Sequence, residues 1–282
     1  DNTFINILNA LRIGEMRIEH IAELMKHVTK DFVDEFSIEK AIRIYPTRKQ
    51  VDSHNNAVTE HFRRKGTKMF TILAQDSIID ANRVYTTAEL EKIIPTDINK
   101  TGGLPKELIL YVGAKIMIRS NLDVAKKLVN GSIGIITEII WPNFRRDQVS
   151  PTDVPSVRVE FERGVGNHLI TPVIKEFKAL GSYGTNERRM LPMVLCYAAT
   201  VHKMQGGTLD HAVISLSKLF AKGQAYVSLS RVRSLEGLRI EDLDAAMLTG
   251  HKPCNTLALE ELERMRKLPD DQAPLNVEPS QH

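Results

Sequence analysis

The spacing of apolar residues changes twice along this chain, and that change restricts the possible folds more than any other feature of the sequence. Near the start, an apolar run at 41–45 ends at a proline and is followed by a helical pattern that places Val51, Val58 and Phe62 on one face. Thr47 precedes the pattern and is expected to cap the helix. A strand, a short turn and a helix in this order form the opening unit of an α/β sheet.

Between residues 69 and 189 the pattern is typical of β-structure instead. Val157, Val159 and Phe161 alternate with charged residues, which is the two-residue period of a half-buried strand. Strand-like runs of this kind are expected at 67–74, 108–118, 132–140, 156–161 and 169–177. Turn-forming residues separate the runs, so this part of the chain is predicted to be a small barrel, with a helix near 86–94.

After residue 190 the α/β pattern returns. Strands are expected at 191–199, 212–216 and 238–240, and helices at 200–205, 221–232, 245–248 and 257–268. The sequence therefore predicts an α/β fold in which one discontinuous domain is interrupted by an all-β insertion. The predicted boundaries are 1–68 and 190–268 for the α/β domain, 69–189 for the barrel and 269–282 for a flexible tail.

Composition and charge narrow the function classes. Two cysteines in 282 residues exclude a disulfide scaffold and a four-cysteine zinc site, and no apolar run reaches the ~18 residues of a membrane span. The net charge is only +3, but 40–70, 100–127 and 195–235 are each clearly basic, whereas 236–282 carries five basic and ten acidic side chains. Three basic stretches favour a polyanion such as nucleic acid or nucleotide phosphate, and solvated lysine-rich faces are the alternative.

The segment 200–208 is the strongest local candidate for chemistry. It follows a strand that ends in small residues, and a helix beginning there would point free N–H groups at an anion. Thr200 and His202 are then candidate phosphate donors, and two glycines from Gly206 onward allow close backbone approach. The alternative is an ordinary capped helix with a solvated Lys203.

A second candidate is Arg231, near the end of the predicted helix at 221–232. An arginine at a helix C-terminus is favourable for dipole reasons alone. The functional interpretation is a guanidinium that reaches a phosphate held by a neighbouring domain.

Six segments, taken in order, resemble a known family. They are 4–14 (FINILNALRIG), 45–51 (YPTRKQV), 113–118 (GAKIMI), 128–134 (LVNGSIG), 200–206 (TVHKMQG) and 223–238 (GQAYVSLSRVRSLEGL). Together they resemble the C-terminal half of the petite-integration-frequency (Pif-type) DNA helicases of superfamily 1, to which Helitron-type helicases are closely related. The last two segments resemble helicase motifs V and VI, and Met204 stands where this family often has Ser.

The resemblance implies a fold and a set of roles. The fold is the second RecA-like domain, interrupted by a Src-homology-3-like barrel. Arg231 would reach the ATP γ-phosphate as the catalytic arginine, and Gln205 and Gly206 would lie near the nucleotide. The DNA contacts would come from Thr200, His202, Lys203 and Thr47.

The resemblance also implies cofactors, partners and a cellular setting. The intact enzyme would use ATP and Mg²⁺, with no metal ligand in this chain. It would move 5′ to 3′ on single-stranded DNA, unwind duplex junctions and pair in cis with a first RecA-like domain. The residues point to no membrane partner, and they leave the oligomeric state open, with a monomer as the working assumption. A nuclear or mitochondrial location and roles in DNA repair, recombination and telomere maintenance would follow from the family alone.

One feature of the family is absent from the sequence. No Gly-x-x-x-x-Gly-Lys-[Ser/Thr] loop occurs in the 282 residues. That loop belongs to the first RecA-like domain, so this chain alone is expected neither to bind ATP tightly nor to hydrolyse it.

Two alternatives to the motor remain open. One is a non-catalytic module, derived from a mobile-element helicase, that grips single strands. The other is a non-enzymatic protein whose barrel is a docking surface. Steeply salt-dependent binding of single strands would favour either nucleic-acid interpretation over the docking one.

Overall fold

The computed structural model describes residues 1–79, 83, 85–181, 184–204, 207–249, 260 and 264. Its α-helices are α1 (Asn2–Ile13), α2 (Ile18–Met25), α3 (Arg48–Arg64), α4 (Thr87–Ile93), α5 (Gln224–Leu229) and α6 (Ala246–Thr249). Its strands are β1 (Ile42–Tyr45), β2 (Phe70–Leu73), β3 (Gln75–Ile78), β4 (Glu107–Leu110), β5 (Lys115–Ile118), β6 (Ile133–Ile140), β7 (Ser156–Phe161), β8 (Gly166–Ile170), β9 (Val173–Lys178), β10 (Thr185–Met190), β11 (Met193–Leu195), β12 (Ala198–Thr200), β13 (Ala212–Leu216) and β14 (Leu238–Leu243). In the part of the chain so described, no helix has the length and apolar character needed to cross a membrane.

The first of two compact units comprises 1–36, 43–46 and 205–282. Its strands β1, β13 and β14 are neighbours in one sheet, and β13 pairs in parallel with β14. All five residues of β13 are buried, as expected for a strand covered on both faces. Helix α1 packs beside α5. The parallel sheet with its helices confirms the predicted α/β fold class.

The second unit comprises 37–42 and 47–204 and contains the antiparallel sheets. One sheet has the strand order β11-β5-β6-β7-β8, another has the order β3-β10-β9, and β2 pairs with β4. A shared core lies between them and includes Tyr111, Trp141 and Val157. Helix α3 covers part of that core, because the Phe62 ring lies 5.2 Å from the ring of Tyr111 and 5.9 Å from that of Tyr197.

The compact units do not change at residues 69 and 189, where the sequence places the domain boundaries. Helix α3 and the segment 190–204 group with the antiparallel sheets, since Val58, Met193 and Tyr197 are buried in the same core as those sheets. The assignment of 1–68 and 190–268 to one RecA-like domain therefore stays a prediction. The predicted helix at 257–268 and the predicted tail at 269–282 lie almost wholly outside the described residues.

Three runs predicted as single strands are each two strands in the structure. The run 108–118 is interrupted at Gly113, whose φ of 90° is left-handed, so β4 and β5 are separate. The run 169–177 is interrupted at Pro172, which has no N–H for a ladder, so β8 and β9 are separate. The run 191–199 divides into β11 and β12.

Strand β10 is absent from the sequence prediction. Two of its buried positions are polar, Asn186 and Arg188, which obscures the apolar alternation. Two nitrogens of the Arg188 guanidinium, Nε and Nη2, donate to the carboxylate of Asp76 at 2.7 and 2.9 Å. A buried bidentate ion pair thus occupies a position where a strand pattern normally has an apolar residue.

Candidate functional site

A cavity of about 290 Å³ opens in the second unit, lined by the first turns of α3 and by β12. Its polar lining consists of Arg48, Asp52, Asn55, Thr96, Asp97, Thr200 and Lys203. The apolar lining comes from Val51, Ile98, Met117, Val194, Leu195, Cys196, Ala198 and Ala199. The cavity thus brings together Thr200 and Lys203, two of the predicted DNA-contacting residues.

Asn55 holds the chain just before Thr200 in place. Its Oδ1 accepts hydrogen bonds from the backbone N–H of Tyr197 at 3.1 Å and of Ala198 at 2.9 Å. The Tyr197 hydroxyl in turn accepts from the Tyr111 hydroxyl at 3.0 Å and from the N–H of Lys115 at 3.1 Å. These bonds tie the entry into β12 to α3 and to the buried core, so Thr200 projects from a rigid segment.

The predicted helix at 200–205 is a single 3-10 turn, Val201–Met204. So short a turn has little helix dipole, and any anion bound here must be held mainly by side chains. Thr200 is buried, His202 is exposed and Lys203 is half-buried at the cavity. The pKa of Lys203 is lowered, first by burial and then by the positive charges of Arg119 and Arg48.

Thr47 caps α3, as the sequence predicts. Its Oγ1 donates to Gln50 Oε1 at 2.7 Å and accepts from the Gln50 N–H at 3.4 Å. Because the hydroxyl proton is used inside the chain, the predicted DNA contact of Thr47 would need the cap to rearrange. That contact stays a prediction.

Two arginines that the sequence does not single out accompany Lys203. Arg48 lines the cavity and pairs with Asp97 at 3.4 Å. Arg119 is half-buried; its Nη2 donates to Asn99 Oδ1 at 3.1 Å, while its Nε has no hydrogen-bond partner among the described residues. Burial, followed by the charge of Arg48, lowers the pKa of Arg119. The only signal in the sequence is that Arg119 directly follows an apolar run.

Arg231 belongs to the first unit and follows α5. Its guanidinium donates to the Val227 carbonyl at 2.9 Å, to the Gly207 carbonyl at 3.1 Å and to Ser230 Oγ at 2.8 Å. The bond to Val227 is the helix C-terminal interaction that the structural interpretation predicts. The bond to Gly207 joins the arginine to the segment containing the other predicted nucleotide-proximal residues, Gln205 and Gly206, which themselves lie outside the described residues.

The described residues contain no group of three or more His, Cys, Asp and Glu side chains placed to hold a metal ion. That the Mg²⁺ ligands of the intact enzyme lie in another domain stays a prediction.

Known proteins that are similar to this chain include Pif1 helicases. Residues 96–139 match the family described as "DNA helicase Pif1, 2B domain". The ATP-dependent DNA helicase PIF1 of Danio rerio is 32% identical over 256 residues, which are 89% of this chain and 35% of that protein. The chain thus spans about a third of the length of such relatives.

Solved structures show the same fold. The crystal structure of Pif1 helicase from Candida albicans matches with a TM-score of 0.68 at 23% identity, covering 94% of this chain and 58% of that one. Pif1 helicase from Bacteroides in complex with ADP-AlF3 and single-stranded DNA matches with a TM-score of 0.64 at 23% identity, covering 95% of this chain and 54% of that one.

Proposed function

We propose that this chain, which is similar in sequence and in fold to Pif1 helicases, is the C-terminal part of an ATP-dependent 5′-to-3′ DNA helicase of superfamily 1. In that enzyme it would bind the DNA strand and supply the arginine that reaches ATP. Two RecA-like domains would close and open around ATP, and each cycle would advance the protein along one strand and unwind the duplex ahead. This chain would contribute one of the two domains.

The cavity beside β12 supports the DNA-gripping role. Thr200 and Lys203 line it together, and Asn55 holds the backbone that leads into them. A hydroxyl and an ammonium group on a rigid segment suit phosphate oxygens, and phosphate contacts supply most of the affinity for single strands. This grouping of sequence-predicted residues in one cavity is the observation that carries the proposal.

Arg231 supports the coupling to ATP. An arginine brought to the γ-phosphate stabilises negative charge that develops during transfer. In the described structure its guanidinium bonds to the Gly207 carbonyl, next to the predicted nucleotide-proximal Gln205 and Gly206. A move of Arg231 toward a phosphate would break that bond and replace it with one to the phosphate.

The P-loop, the Mg²⁺ ligands and most of the ATP contacts would come from a first RecA-like domain in cis. ATP bound there would supply the phosphoryl group, and this chain would hold the strand and present Arg231. We accordingly propose that the chain alone does not turn over ATP.

The proposal is tested in two steps. Reading the coding sequence upstream of Asp1 should reveal a P-loop and an acidic strand in the same frame. In the protein carrying both domains, Arg231→Ala should lower DNA-stimulated ATP hydrolysis by about a thousandfold, the low end for loss of an arginine finger.

Arg233→Ala is the matched control, because Arg233 is an exposed neighbour paired with Asp210 at 3.2 Å and should have little effect. Equal activity of the two variants would contradict the role of Arg231. A coding frame without a P-loop would favour a strand-binding module without turnover.

A further inference from the structure

We propose that Arg48, Arg119 and Lys203 form a receptor for one phosphodiester group of a single DNA strand. The inference rests on the proposed function and deepens it, since it adds two arginines to the DNA contacts and gives the cavity beside β12 a defined ligand.

The geometry supports a shared ligand. Arg48 and Lys203 both line the cavity, from α3 and from the turn after β12. Arg119 follows β5, whose Met117 also lines the cavity, and it bonds to Asn99 beside the lining residues Asp97 and Ile98. Three cations thus converge from three separate elements of one compact unit.

Arg119 has an unused donor. Its Nη2 is engaged by Asn99, but its Nε–H is buried and has no hydrogen-bond partner among the described residues. A buried donor without a partner costs free energy. A phosphate oxygen accepting from Nε–H would remove that cost and would make a charge-assisted bond.

The cations also destabilise one another when no anion is present. Burial and the two neighbouring arginines lower the pKa of Lys203, and burial and Arg48 lower that of Arg119. An anion between these groups would relieve the repulsion. Clusters of like charges whose pKa values are shifted in this way are typical of binding sites for an opposite charge.

Charge and lining distinguish a phosphodiester from a nucleotide. The three cations are opposed by Asp52 and Asp97, both at the cavity, so the cluster has one net positive charge. That charge matches one phosphodiester monoanion rather than a triphosphate. Among the described residues that line the cavity, none is an aromatic side chain on which a base could stack.

The test uses the 282-residue chain and a short fluorescein-labelled oligothymidylate, titrated at several salt concentrations. We expect Arg119→Gln and Arg48→Gln each to weaken binding by about tenfold, as for loss of one charge-assisted bond. Because the three cations share one phosphodiester, each substitution should also make the salt slope shallower, by at most about 0.7, the value for one phosphate contact on a single strand.

Arg64→Gln is the matched control. Arg64 is exposed at the opposite end of α3 and pairs only loosely with Glu60, at 3.6 Å, so both affinity and slope should stay unchanged. If Arg119→Gln and Arg48→Gln behave like Arg64→Gln while Lys203→Gln weakens binding, the receptor is wrong and the proposed function stands. If the unmodified chain does not bind the oligonucleotide, both are wrong.

A second measurement does not depend on the variants folding. In the unmodified chain, the arginine Nε–H resonances are followed by NMR while oligothymidylate, inorganic phosphate or ATP is added. The receptor predicts that oligothymidylate shifts the Arg119 Nε–H signal at the lowest concentration. An unmoved signal at saturating DNA, or a shift that ATP produces at lower concentration than DNA does, would overturn it.

Discussion

Asn55 shows how a single side chain determines the geometry of the candidate site. One amide oxygen accepts two consecutive backbone N–H groups, those of Tyr197 and Ala198, at the entry into β12. Both N–H groups belong to buried residues, at the place where β12 begins. The position of Thr200 therefore depends on a residue more than a hundred positions earlier in the chain.

Asn55→Ala should lower the free energy of unfolding by about 2 kcal/mol, because it leaves two buried N–H groups without an acceptor. Urea denaturation measures the change. Asn55→Asp is the control, since it keeps an acceptor oxygen at the same place and should cost less. Equal and small losses for the two variants would show that the bonds to Tyr197 and Ala198 do not stabilise the fold.

Lys203 should make strand binding sensitive to pH. Its pKa lies below the ordinary 10.5 because of burial and because of the positive charges of Arg119 and Arg48. Asp52 and Cys196 act in the opposite direction and raise the pKa by less. The protonated amine binds an anion, so affinity should fall as the pH rises through the lowered pKa. Bound DNA should move that fall to higher pH, since an anion favours the charged form.

Lys203→Arg supplies the comparison, because an arginine keeps its charge throughout this range. Affinity for oligothymidylate, measured by fluorescence anisotropy from neutral to alkaline pH, should lose most of its pH dependence in this variant. An unchanged pH profile in Lys203→Arg would assign the titration to another group.

At the scale of the elements, the sequence predicts those features that depend on neighbouring residues alone. The helix cap at Thr47, the strand β7 and the strand β13 agree with the prediction, because capping and apolar alternation are local properties. Gly113 and Pro172 are themselves turn-forming and strand-breaking residues, but the apolar runs around them favour a continuous strand. The sequence around β10 has no strand pattern, because Arg188 is buried only by its pairing with Asp76 on a strand far away in the chain.

The candidate site likewise contains residues that the sequence predicts and one that only the structure identifies. The segment around Thr200 and Lys203 is recognisable from its motif, whereas Arg119 becomes visible only when β5 is placed beside the cavity. A three-dimensional cluster of cations from three elements leaves no periodic signal in the sequence.

Gly237 tests the packing of the parallel sheet. A Cβ at this position would collide with the backbone carbonyl of Asp210, while the Gly237 carbonyl accepts the N–H of Ala212 at 2.9 Å where β13 begins. Gly237→Ala should therefore lower the free energy of unfolding by about 3 kcal/mol, the upper range for overpacking. Glu236→Ala, at the exposed neighbouring position, should change it little. Equal stability of the two variants, by thermal or urea unfolding, would mean that the backbone at Gly237 and Asp210 shifts to accommodate the Cβ at little cost.

At the scale of the whole molecule, we expect this chain to bind a DNA strand without hydrolysing ATP. The sequence contains no P-loop, the loop that holds the phosphates of ATP. The purified chain should therefore show no ATP hydrolysis above background, with or without single-stranded DNA. A coupled phosphate-release assay checks this, and DNA-stimulated turnover that survives Arg231→Ala would contradict it.

The most direct test of the central claim is the affinity of the 282-residue chain for single-stranded and for blunt duplex DNA as a function of salt. We expect preferential binding of the single strand, with a slope of log K against log salt of roughly −2 or steeper, as for three or more phosphate contacts. No binding at low salt, or binding whose strength does not depend on salt, would contradict the claim that this chain grips a DNA strand through its phosphates.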